Sequence, residues 1–315
     1  MSLWLNTYVL TPLVLPSFAK INWHLRVLGM RPDGYHELIT VLQTVSLHDE
    51  LTFDLRNDGK ISLHCDDPGI PTDETNLIVK AAVSLRKQLQ SPLGADINLI
   101  KRIPAKAGLG GASSNAAVTL LALNALWRTE SKLEDLVVLG SGLGADVPFF
   151  FYGGRCLATG TGTKVFALPG GPEQPLLVIT PNASIATSKA YASLNAASLT
   201  TFESDSILSS SFAELRSADS RQWPLQNDFE RVIFEIEPEI ERAKIALLEA
   251  GARGALLAGS GSSVFGVFDD EIARNRAFDN LKTEAGWKVF SCETVARDNY
   301  FSSMNSSGFP LFTLS

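Results

Sequence analysis

Hydrophobic and polar residues in the first half of the chain follow both of the periods that mark regular secondary structure. Residues 41–55 alternate with the period of a β-strand, and residues 96–103 have the same character. Between them, Leu77–Leu89 has the apolar spacing of an amphipathic helix, with Asn76 suited to cap its N-terminus. Residues 113–127 are apolar on nearly every face, which predicts a buried helix. The first half is therefore predicted to combine strands with helices.

The pattern changes after residue 168, where Pro and Gly cluster in the sequence LPGGPEQP. This cluster predicts a domain boundary, with residues 1–168 and 169–315 as the two domains. Before it, residues 133–139 predict a short helix opened by Ser131. After it, residues 198–220 are rich in Ser and predict a surface excursion, and residues 237–250 predict a helix that begins with Pro and is ended by Gly251.

The composition limits the class of protein and its partners. The chain has 315 residues, of which 45% are hydrophobic and 19% charged, as in an ordinary globular protein with a full core. Its net charge of −7 argues against nucleic acid as the main partner, because phosphate backbones are bound by clustered Lys and Arg. No apolar run approaches the length that spans a bilayer, so no membrane partner is expected.

The cysteines and histidines indicate neither a disulfide framework nor a metal site. The three cysteines are far apart and form no CxxC pair, which predicts a reducing, cytoplasmic location. The four histidines have no pair at metal-binding helical spacing. No protein-bound metal ligand is therefore predicted from these residues.

The strongest local signal is a glycine-rich segment, PAKAGLGGASSNAA at residues 104–117, between the predicted strand 96–103 and the buried helix. Its first eight residues, 104–111, are called the glycine loop below. Glycine allows close approach of the backbone to a ligand and positive φ angles. The helix start adds free N–H groups and the positive end of the dipole. Ser113 and Ser114 can cap the helix or reach a phosphate or metal ion, so the segment predicts an anion cradle.

The loop has three other interpretations. A Walker loop requires a Lys that does not follow Gly111, so that interpretation fails. A dinucleotide-binding loop requires GxGxxG spacing, which the glycines at 108, 110 and 111 do not have. A simple tight turn before a buried helix remains open.

Four further segments contain candidate catalytic or binding residues or a second glycine turn. Lys20 lies among apolar neighbours in PSFAKINWHL, which predicts a strand, and RPDGYHE at residues 31–37 predicts a hairpin tip on Asp33-Gly34. Asp146 lies in the apolar segment LGADVPFF, where it is either a helix cap or a buried carboxylate that needs a partner. AGSGSSVFG at residues 258–266 predicts a second glycine turn.

Together these segments resemble the motifs of the GHMP kinases, the family of galactokinase, homoserine kinase, mevalonate kinase and phosphomevalonate kinase. PSFAKINWHL is similar to the first motif, GLGGASSNAA to the second and AGSGSSVFG to the third, in the family's order along the chain. The resemblance implies an α+β fold of two domains with the active site in the cleft between them. It makes 1–168 the N-terminal ATP-binding domain and 169–315 the C-terminal domain.

The resemblance also implies roles for residues. Lys20 and Asp146 become the catalytic pair, and the glycine-rich segment becomes the ATP site. Its implied contacts are Pro104, Ala105, Lys106, Ala107, Gly108, Leu109, Gly110, Gly111, Ala112, Ser113 and Ser114. Lys106 and Ala107 depart from the small residues, often Gly, that are usual in the family there.

RPDGYH and TSKAY resemble segments of those family members that act on a cytidine-diphosphate-linked sugar alcohol. By this resemblance Tyr35 and His36 read the cytosine, and Tyr191 is its second aromatic face, where relatives often carry Phe. Asn22 and Thr187 are the further substrate contacts.

The expected activity is ATP- and Mg²⁺-dependent phosphorylation of the 2-hydroxyl of cytidine-diphosphate-linked methylerythritol, in the non-mevalonate route to isoprenoids. The expected partners are this small molecule and at most a weak second copy of the chain. Rival interpretations are a GHMP kinase for homoserine or mevalonate, a nucleotide-binding regulator without catalysis, and a dehydrogenase. The RPDGYH segment and Tyr191 argue against the first, because homoserine and mevalonate have no base to stack, and the presence of both Lys20 and Asp146 argues against the second.

Overall fold

A computed structural model describes residues 12–129, 131–194, 225–305 and 311. The Ser-rich segment predicted as a surface excursion, residues 198–220, lies outside them. Within this part of the chain, strands form a seven-stranded and a four-stranded sheet. In the described parts of the chain no helix is both long and apolar enough to cross a membrane.

The seven-stranded sheet is built around one long hairpin. β1 (Leu13–Met30) and β2 (His36–Arg56) pair antiparallel along nearly their whole length. The other edge of β2 is divided, since its first part pairs with β5 (Arg155–Gly160) and its last part with β4 (Gly94–Ile100). The remaining strands extend the edges: β3 (Ile61–Cys65) beside β4, β6 (Lys164–Ala167) beside β5, and β8 (Gln226–Asn227) parallel to β1.

Helices cover one face of this sheet. They are α1 (Leu77–Leu89), α2 (Gly111–Leu126), α3 (Leu133–Ser141) and a 3₁₀ helix (Val147–Phe151). α2 is buried on nearly all sides because its interior residues are Ala, Val and Leu, as its sequence predicts. This packing fixes the start of α2, and with it the glycine loop, against the sheet.

The four-stranded sheet is antiparallel in the order β11, β7, β10, β9. These strands are β7 (Pro175–Pro181), β9 (Gly254–Leu257), β10 (Val264–Val267) and β11 (Trp287–Glu293). Its outer face carries α4 (Thr187–Ser193), α5 (Glu230–Ile236), α6 (Pro238–Glu249) and α7 (Glu271–Leu281).

Its inner face packs on the first sheet through a shared core that includes Ile21, Ile39, Val178 and Phe265. The last helix, α8 (Arg297–Asn305), returns to the first core through Tyr300. The two layers therefore meet along a common apolar seam.

Several predicted elements are confirmed and some bounds are corrected. The helix Leu77–Leu89 is confirmed, and Asn76 accepts a hydrogen bond from the backbone N of Ile78. The helix near 237–250 is confirmed as α6, followed by Gly251 at φ +97°. Residues 41–55 belong to one continuous strand.

Other details of the elements differ from their predictions. α2 begins at Gly111, two residues before the predicted 113. α3 begins at Leu133 with Lys132 as its cap, so Ser131 does not open it. β4 ends at Ile100, because the next three backbone N–H groups donate to side-chain carboxylates instead of a neighbouring strand: that of residue 101 to Asp66, and those of residues 102 and 103 to Asp49.

Candidate active site

Lys20 lies in the middle of β1 and is almost completely buried, with 3% of its surface exposed. Its Nζ donates a hydrogen bond to Asn22 Oδ1 at 2.9 Å, and Asn22 Nδ2 donates to Thr40 Oγ1 at 2.8 Å. Its backbone N donates to the Leu109 carbonyl at 2.9 Å, which joins the strand to the glycine loop. A buried ammonium needs such partners, so its position and orientation are fixed by the surrounding structure.

Asp146 supplies the charge partner of Lys20. The distance between Lys20 Nζ and Asp146 Oδ2 is 3.5 Å. Asp146 directly precedes the 3₁₀ helix, but its side chain makes no capping hydrogen bond, so the helix-cap interpretation of this carboxylate is wrong. The Asp146 side chain is 39% exposed, which leaves the carboxylate accessible to a ligand as well as to Lys20.

The glycine loop is shaped by close packing that excludes side chains. Gly110 has φ +70°, and a Cβ there would lie 2.9 Å from Lys20 Cγ. Gly108 has φ +77°, and a Cβ there would lie 1.9 Å from the Ala258 carbonyl oxygen. Lys106 also has a positive φ, +55°, although it carries a side chain. Several residues of the loop therefore have the left-handed backbone conformation, which glycine alone adopts without strain.

The second glycine turn, near residues 258–261, packs directly on the glycine loop. Ser263 N donates to the Ala107 carbonyl at 3.1 Å, and a Cβ on Gly259 would lie 3.1 Å from Lys20 Nζ. Asn227 holds this turn, since its Nδ2 donates to the carbonyls of Leu257 and Gly259 at 2.9 and 2.7 Å. Sequence reasoning gave Asn227 no role, and the only signal was the NDFE segment that contains it.

These elements enclose a cavity of about 590 Å³. The residues predicted from the sequence that line it are Lys20, Asn22, Lys106, Gly108, Gly110, Ser113, Asp146, Thr187 and Tyr191. Thr187 Oγ1 lies 3.2 Å from Ser260 Oγ, across the cavity edge. The two residues predicted as the catalytic pair, part of the glycine loop and part of the predicted substrate site are thus brought together.

Other predicted loop residues face elsewhere. Ser114 is fully buried, and its Oγ accepts a hydrogen bond from Ser17 Oγ at 2.8 Å. Ala107 and Leu109 are buried in the core between the sheets. The rest of the predicted loop set, Pro104, Ala105, Gly111 and Ala112, does not line the cavity either. Of the two serines, Ser113 is the one whose side chain reaches the cavity.

The three aromatic residues predicted to bind the cytosine, Tyr35, His36 and Tyr191, do not form a complete binding site in this structure. The His36 and Tyr191 rings have centroids 4.8 Å apart and planes at 34°, and Tyr191 meets Phe229 edge-on. Burial, with a further contribution from the Asp146 charge, raises the pKa of Tyr191 to about 12, so its hydroxyl stays protonated near neutral pH. Tyr35 is 65% exposed and does not line the cavity. A base stacked between two rings needs about 7 Å, twice a carbon–carbon contact, so His36 and Tyr191 have no base-sized gap.

The hairpin that carries Tyr35 and His36 is held by Arg31. Its guanidinium pairs with Asp33 at 2.9 Å and with the buried Glu37 at 3.1 Å. Hydrogen bonding to Arg31 lowers the pKa of Asp33. Gly34 forms the turn with φ +83°, which confirms the predicted hairpin tip on Asp33-Gly34. These contacts tie down the base of the hairpin, while the Tyr35 side chain projects into solvent.

Comparison with known proteins identifies the family. The family model described as GHMP kinases N terminal domain matches residues 76–154, and the one described as GHMP kinases C terminal matches residues 204–286. A relative from Syntrophus aciditrophicus (strain SB), named 4-diphosphocytidyl-2-C-methyl-D-erythritol kinase, is 40% identical over 277 residues, which cover 88% of this chain and 97% of the relative. The chain belongs to the GHMP kinase family.

Solved structures of GHMP kinases agree with the fold. A crystal structure of 4-(cytidine 5'-diphospho)-2C-methyl-D-erythritol kinase is 32% identical, with a TM-score of 0.71 over 89% of this chain and 98% of that one. A homoserine kinase from Cytophaga hutchinsonii ATCC 33406, 20% identical with a TM-score of 0.68 over 94% of this chain and 99% of that one, shares the fold. The predicted α+β GHMP kinase fold is confirmed, and the dehydrogenase interpretation of the glycine loop is wrong.

Proposed function

We propose that this GHMP kinase transfers the terminal phosphoryl group of ATP to the 2-hydroxyl of 4-diphosphocytidyl-2-C-methyl-D-erythritol, in the non-mevalonate route to isoprenoids. The observation that carries the proposal is the Lys20–Asp146 pair, 3.5 Å apart, in the cavity where both glycine-rich turns meet. Relatives named 4-diphosphocytidyl-2-C-methyl-D-erythritol kinase support this choice of acceptor. One of them, from Thermodesulfovibrio yellowstonii (strain ATCC 51303 / DSM 11347 / YP87), is 39% identical over 84% of this chain and 93% of the relative.

ATP is the phosphoryl donor, as in the rest of the kinase family. We assign its phosphates to the glycine loop and to the start of α2, where free N–H groups and the helix dipole favour anions. Lys106, in this loop, and Ser113, in the first turn of α2, line the cavity and bring an ammonium and a hydroxyl to its wall. In the described residues Lys106 has no carboxylate partner, so its ammonium is free to meet a phosphate.

A magnesium ion fits this arrangement. Mg²⁺ is bound by one or two carboxylates together with substrate phosphates and water, so it needs no dedicated cluster of protein ligands. The described residues hold no group of three or more His, Cys, Asp and Glu side chains that could hold a metal. Asp146 and Ser113 offer a carboxylate and a hydroxyl on the cavity wall, which would hold the ion. When bound, Mg²⁺ neutralises the charge on the phosphates.

Phosphoryl transfer depends mainly on positioning and charge stabilisation. Asp146 orients the acceptor hydroxyl and takes its proton as the new oxygen–phosphorus bond forms and the bond to ADP breaks. Lys20 stabilises Asp146 and the charge on the transferred group. Asn22 keeps the ammonium in place because it bonds both Lys20 and Thr40.

The acceptor belongs on the side of the cavity lined by Thr187 and Tyr191, where the His36 ring contacts Tyr191. Tyr191 offers an aromatic face for cytosine and Thr187 a hydroxyl for the diphosphate or the sugar alcohol. Tyr35 is proposed to move toward the base on binding. A cytoplasmic location, a weak homodimer and the division of the chain at residues 168 and 169 remain predictions.

The test is release of ADP with Mg-ATP, comparing the cytidylyl-methylerythritol acceptor with homoserine and mevalonate. Turnover of the cytidylyl compound alone is the expected result. Turnover of another acceptor would keep the kinase chemistry and remove Tyr35, His36 and Tyr191 as specificity residues. Absence of turnover with all three would favour a regulator that binds nucleotide without catalysis.

A further inference from the structure

A buried ionic cluster lies beneath the glycine loop, outside the cavity and without a role in the transfer chemistry. Its centre is Asp49 of β2, a fully buried carboxylate. Asp49 Oδ2 accepts hydrogen bonds from Lys101 Nζ at 2.7 Å and from Asn115 Nδ2 at 3.1 Å. Asp49 Oδ1 accepts from the backbone N of Arg102 and of Ile103, both at 2.8 Å. All four donors come from chain segments that adjoin the glycine loop.

The cluster joins the two ends of the loop. Lys101 Nζ also donates to the carbonyl of Ile103, the residue immediately before the loop. A Cβ placed on Gly111, the last loop residue, would lie 3.3 Å from Lys101 Nζ and 3.0 Å from Ile103 Cγ2. Asn115 lies in the first turns of α2, directly after the loop. The side chains of Asp49 and Lys101 therefore contact both the entry and the exit of the loop.

Stability alone is a weak reason for a buried ion pair, since the desolvation of two charges offsets much of their attraction. This cluster ends β4 early, joins the two ends of the glycine loop and fixes the start of α2. These contacts have a more specific effect than a gain in stability. They set the direction of the backbone N–H groups at the loop and helix start, and misplacement by even 1 Å in such a site reduces catalysis strongly.

We propose that Asp49 and Lys101 are positioning residues for nucleotide binding, which act through the glycine loop and touch neither substrate. This inference rests on the proposed function only in taking the loop as the phosphate site. Loss of the pair weakens binding of ATP and ADP selectively and leaves the acceptor side of the cavity unchanged.

The test uses Asp49→Asn and Lys101→Met in the full chain, with the Kd for ADP and the KM values for ATP and for the acceptor. In Asp49→Asn the Kd for ADP is expected to rise about tenfold, the effect of one charge-assisted hydrogen bond. The KM for the acceptor is expected to change less than about twofold. Lys101→Met is expected to have the larger effect on ADP, because it leaves the Asp49 charge unpaired beneath the loop.

Leu85→Ala is the matched control for stability, since Leu85 is fully buried in α1 and belongs to neither the glycine loop nor the ionic cluster. It is expected to lower Tm while leaving the Kd for ADP unchanged. Where a single charge variant fails to fold, the double variant Asp49→Asn/Lys101→Met leaves no unpaired charge, and its Kd for ADP is expected to stay raised.

Two results would overturn the proposal: an unchanged or tighter Kd for ADP in Asp49→Asn, or an equal rise in Leu85→Ala. Because Kd for ADP is measured without an acceptor, the test separates this proposal from the proposed function. Failure of the wild-type chain to turn over any acceptor would contradict the proposed function and leave the proposal for Asp49 and Lys101 standing.

Discussion

The two sides of the cavity differ in how completely they are formed without ligand. On the donor side, Gly108 and Gly110 are packed so closely that a Cβ would clash with backbone or with Lys20. On the acceptor side, Tyr35 is 65% exposed, and His36 lies against Tyr191 with no room for a base. The proposed donor side is thus preorganised, while the proposed acceptor side must rearrange to bind its ligand.

This difference follows from the chemistry of each half. Stabilising a transferring phosphoryl group requires donors that are already aimed at the developing charge, because reorganisation during the reaction would add to the barrier. Recognition of a base tolerates local movement, since side-chain changes on binding are common. The comparison predicts that substitutions on the donor side affect stability, turnover or nucleotide affinity, whereas those on the acceptor side affect only the affinity for the cytidylyl acceptor.

The largest expected effect is on turnover in Asp146→Asn. The amide cannot take the hydroxyl proton, so kcat is expected to fall about 10²- to 10⁴-fold, the usual contribution of a positioned base. Affinity for ADP and for cytidine nucleotides should change little, as measured by calorimetry. Lys20→Ala is expected to behave similarly, sparing cytidine binding while abolishing turnover.

Asp279→Asn is the matched control, because Asp279 also pairs with a lysine, Lys282 at 2.6 Å, but on the exposed surface of α7. Its kcat should equal that of the wild type. Loss of cytidine binding together with turnover in Lys20→Ala would contradict the role given to that ammonium.

The next effect is on stability, in Gly108→Ala compared with Gly251→Ala. Both glycines have a positive φ, +77° and +97°, but a Cβ on Gly251 has no atom within 4 Å. Gly251→Ala is expected to cost about 1–2 kcal/mol in the free energy of unfolding, which is backbone strain alone. Gly108→Ala adds the clash with Ala258 and is expected to cost about 3 kcal/mol or more, together with loss of ADP affinity.

Denaturant unfolding and ADP titration would measure both variants. Equal costs for the two glycines would mean that the donor side is less tightly packed than the distances indicate, and the contrast between the two halves would weaken.

The sequence predicted those elements of the site whose motifs are local. The strand with Lys20, the glycine loop, the buried helix and the hairpin at Asp33-Gly34 each depend on neighbouring residues, and the structure contains all four. Ser113 and Ser114 could not be distinguished by composition, since successive helical residues point about 100° apart and only packing decides which faces the cavity. Their different environments are a property of the fold.

The contacts that sequence reasoning missed are long-range. Asp49 precedes its partner Lys101 by 52 residues, and Asn227 lies 32 residues before the Gly259 carbonyl that it holds. Nothing in the strand pattern around Asp49 distinguishes this carboxylate from a solvent-facing one. The early end of β4 at Ile100 has the same cause, because a side chain from another strand replaces the ladder.

On the acceptor side, Tyr191→Ala is expected to raise the KM for the cytidylyl acceptor about tenfold, since base–aromatic stacking contributes about 1–3 kcal/mol. The KM for ATP should stay unchanged. Tyr191→Phe is the control that retains the ring. Burial raises the pKa of the Tyr191 hydroxyl to about 12, so the hydroxyl stays protonated up to about pH 9. Tyr191→Phe should therefore alter neither the affinity for the acceptor nor the pH dependence of that affinity between pH 7 and about pH 9.

Tyr35→Ala sharpens the same comparison, because this ring is exposed in the free protein. A rise in acceptor KM similar to that in Tyr191→Ala would show that Tyr35 moves onto the base. An unchanged KM would leave recognition to His36 and Tyr191 and contradict the proposed closure.

The smallest effect is expected at Lys106, in the comparison of Lys106→Gly with Arg128→Gly. Both residues are exposed cations in the left-handed region, with φ +55° and +52°, but only Lys106 lines the cavity. Relief of the backbone strain should stabilise both variants by up to about 1 kcal/mol. In Lys106→Gly alone the KM for ATP should rise about threefold at low ionic strength, and the difference should shrink in salt because an exposed charge is screened. Equal ATP kinetics in the two variants would mean that Lys106 points to solvent and that the loop backbone binds the phosphates without it.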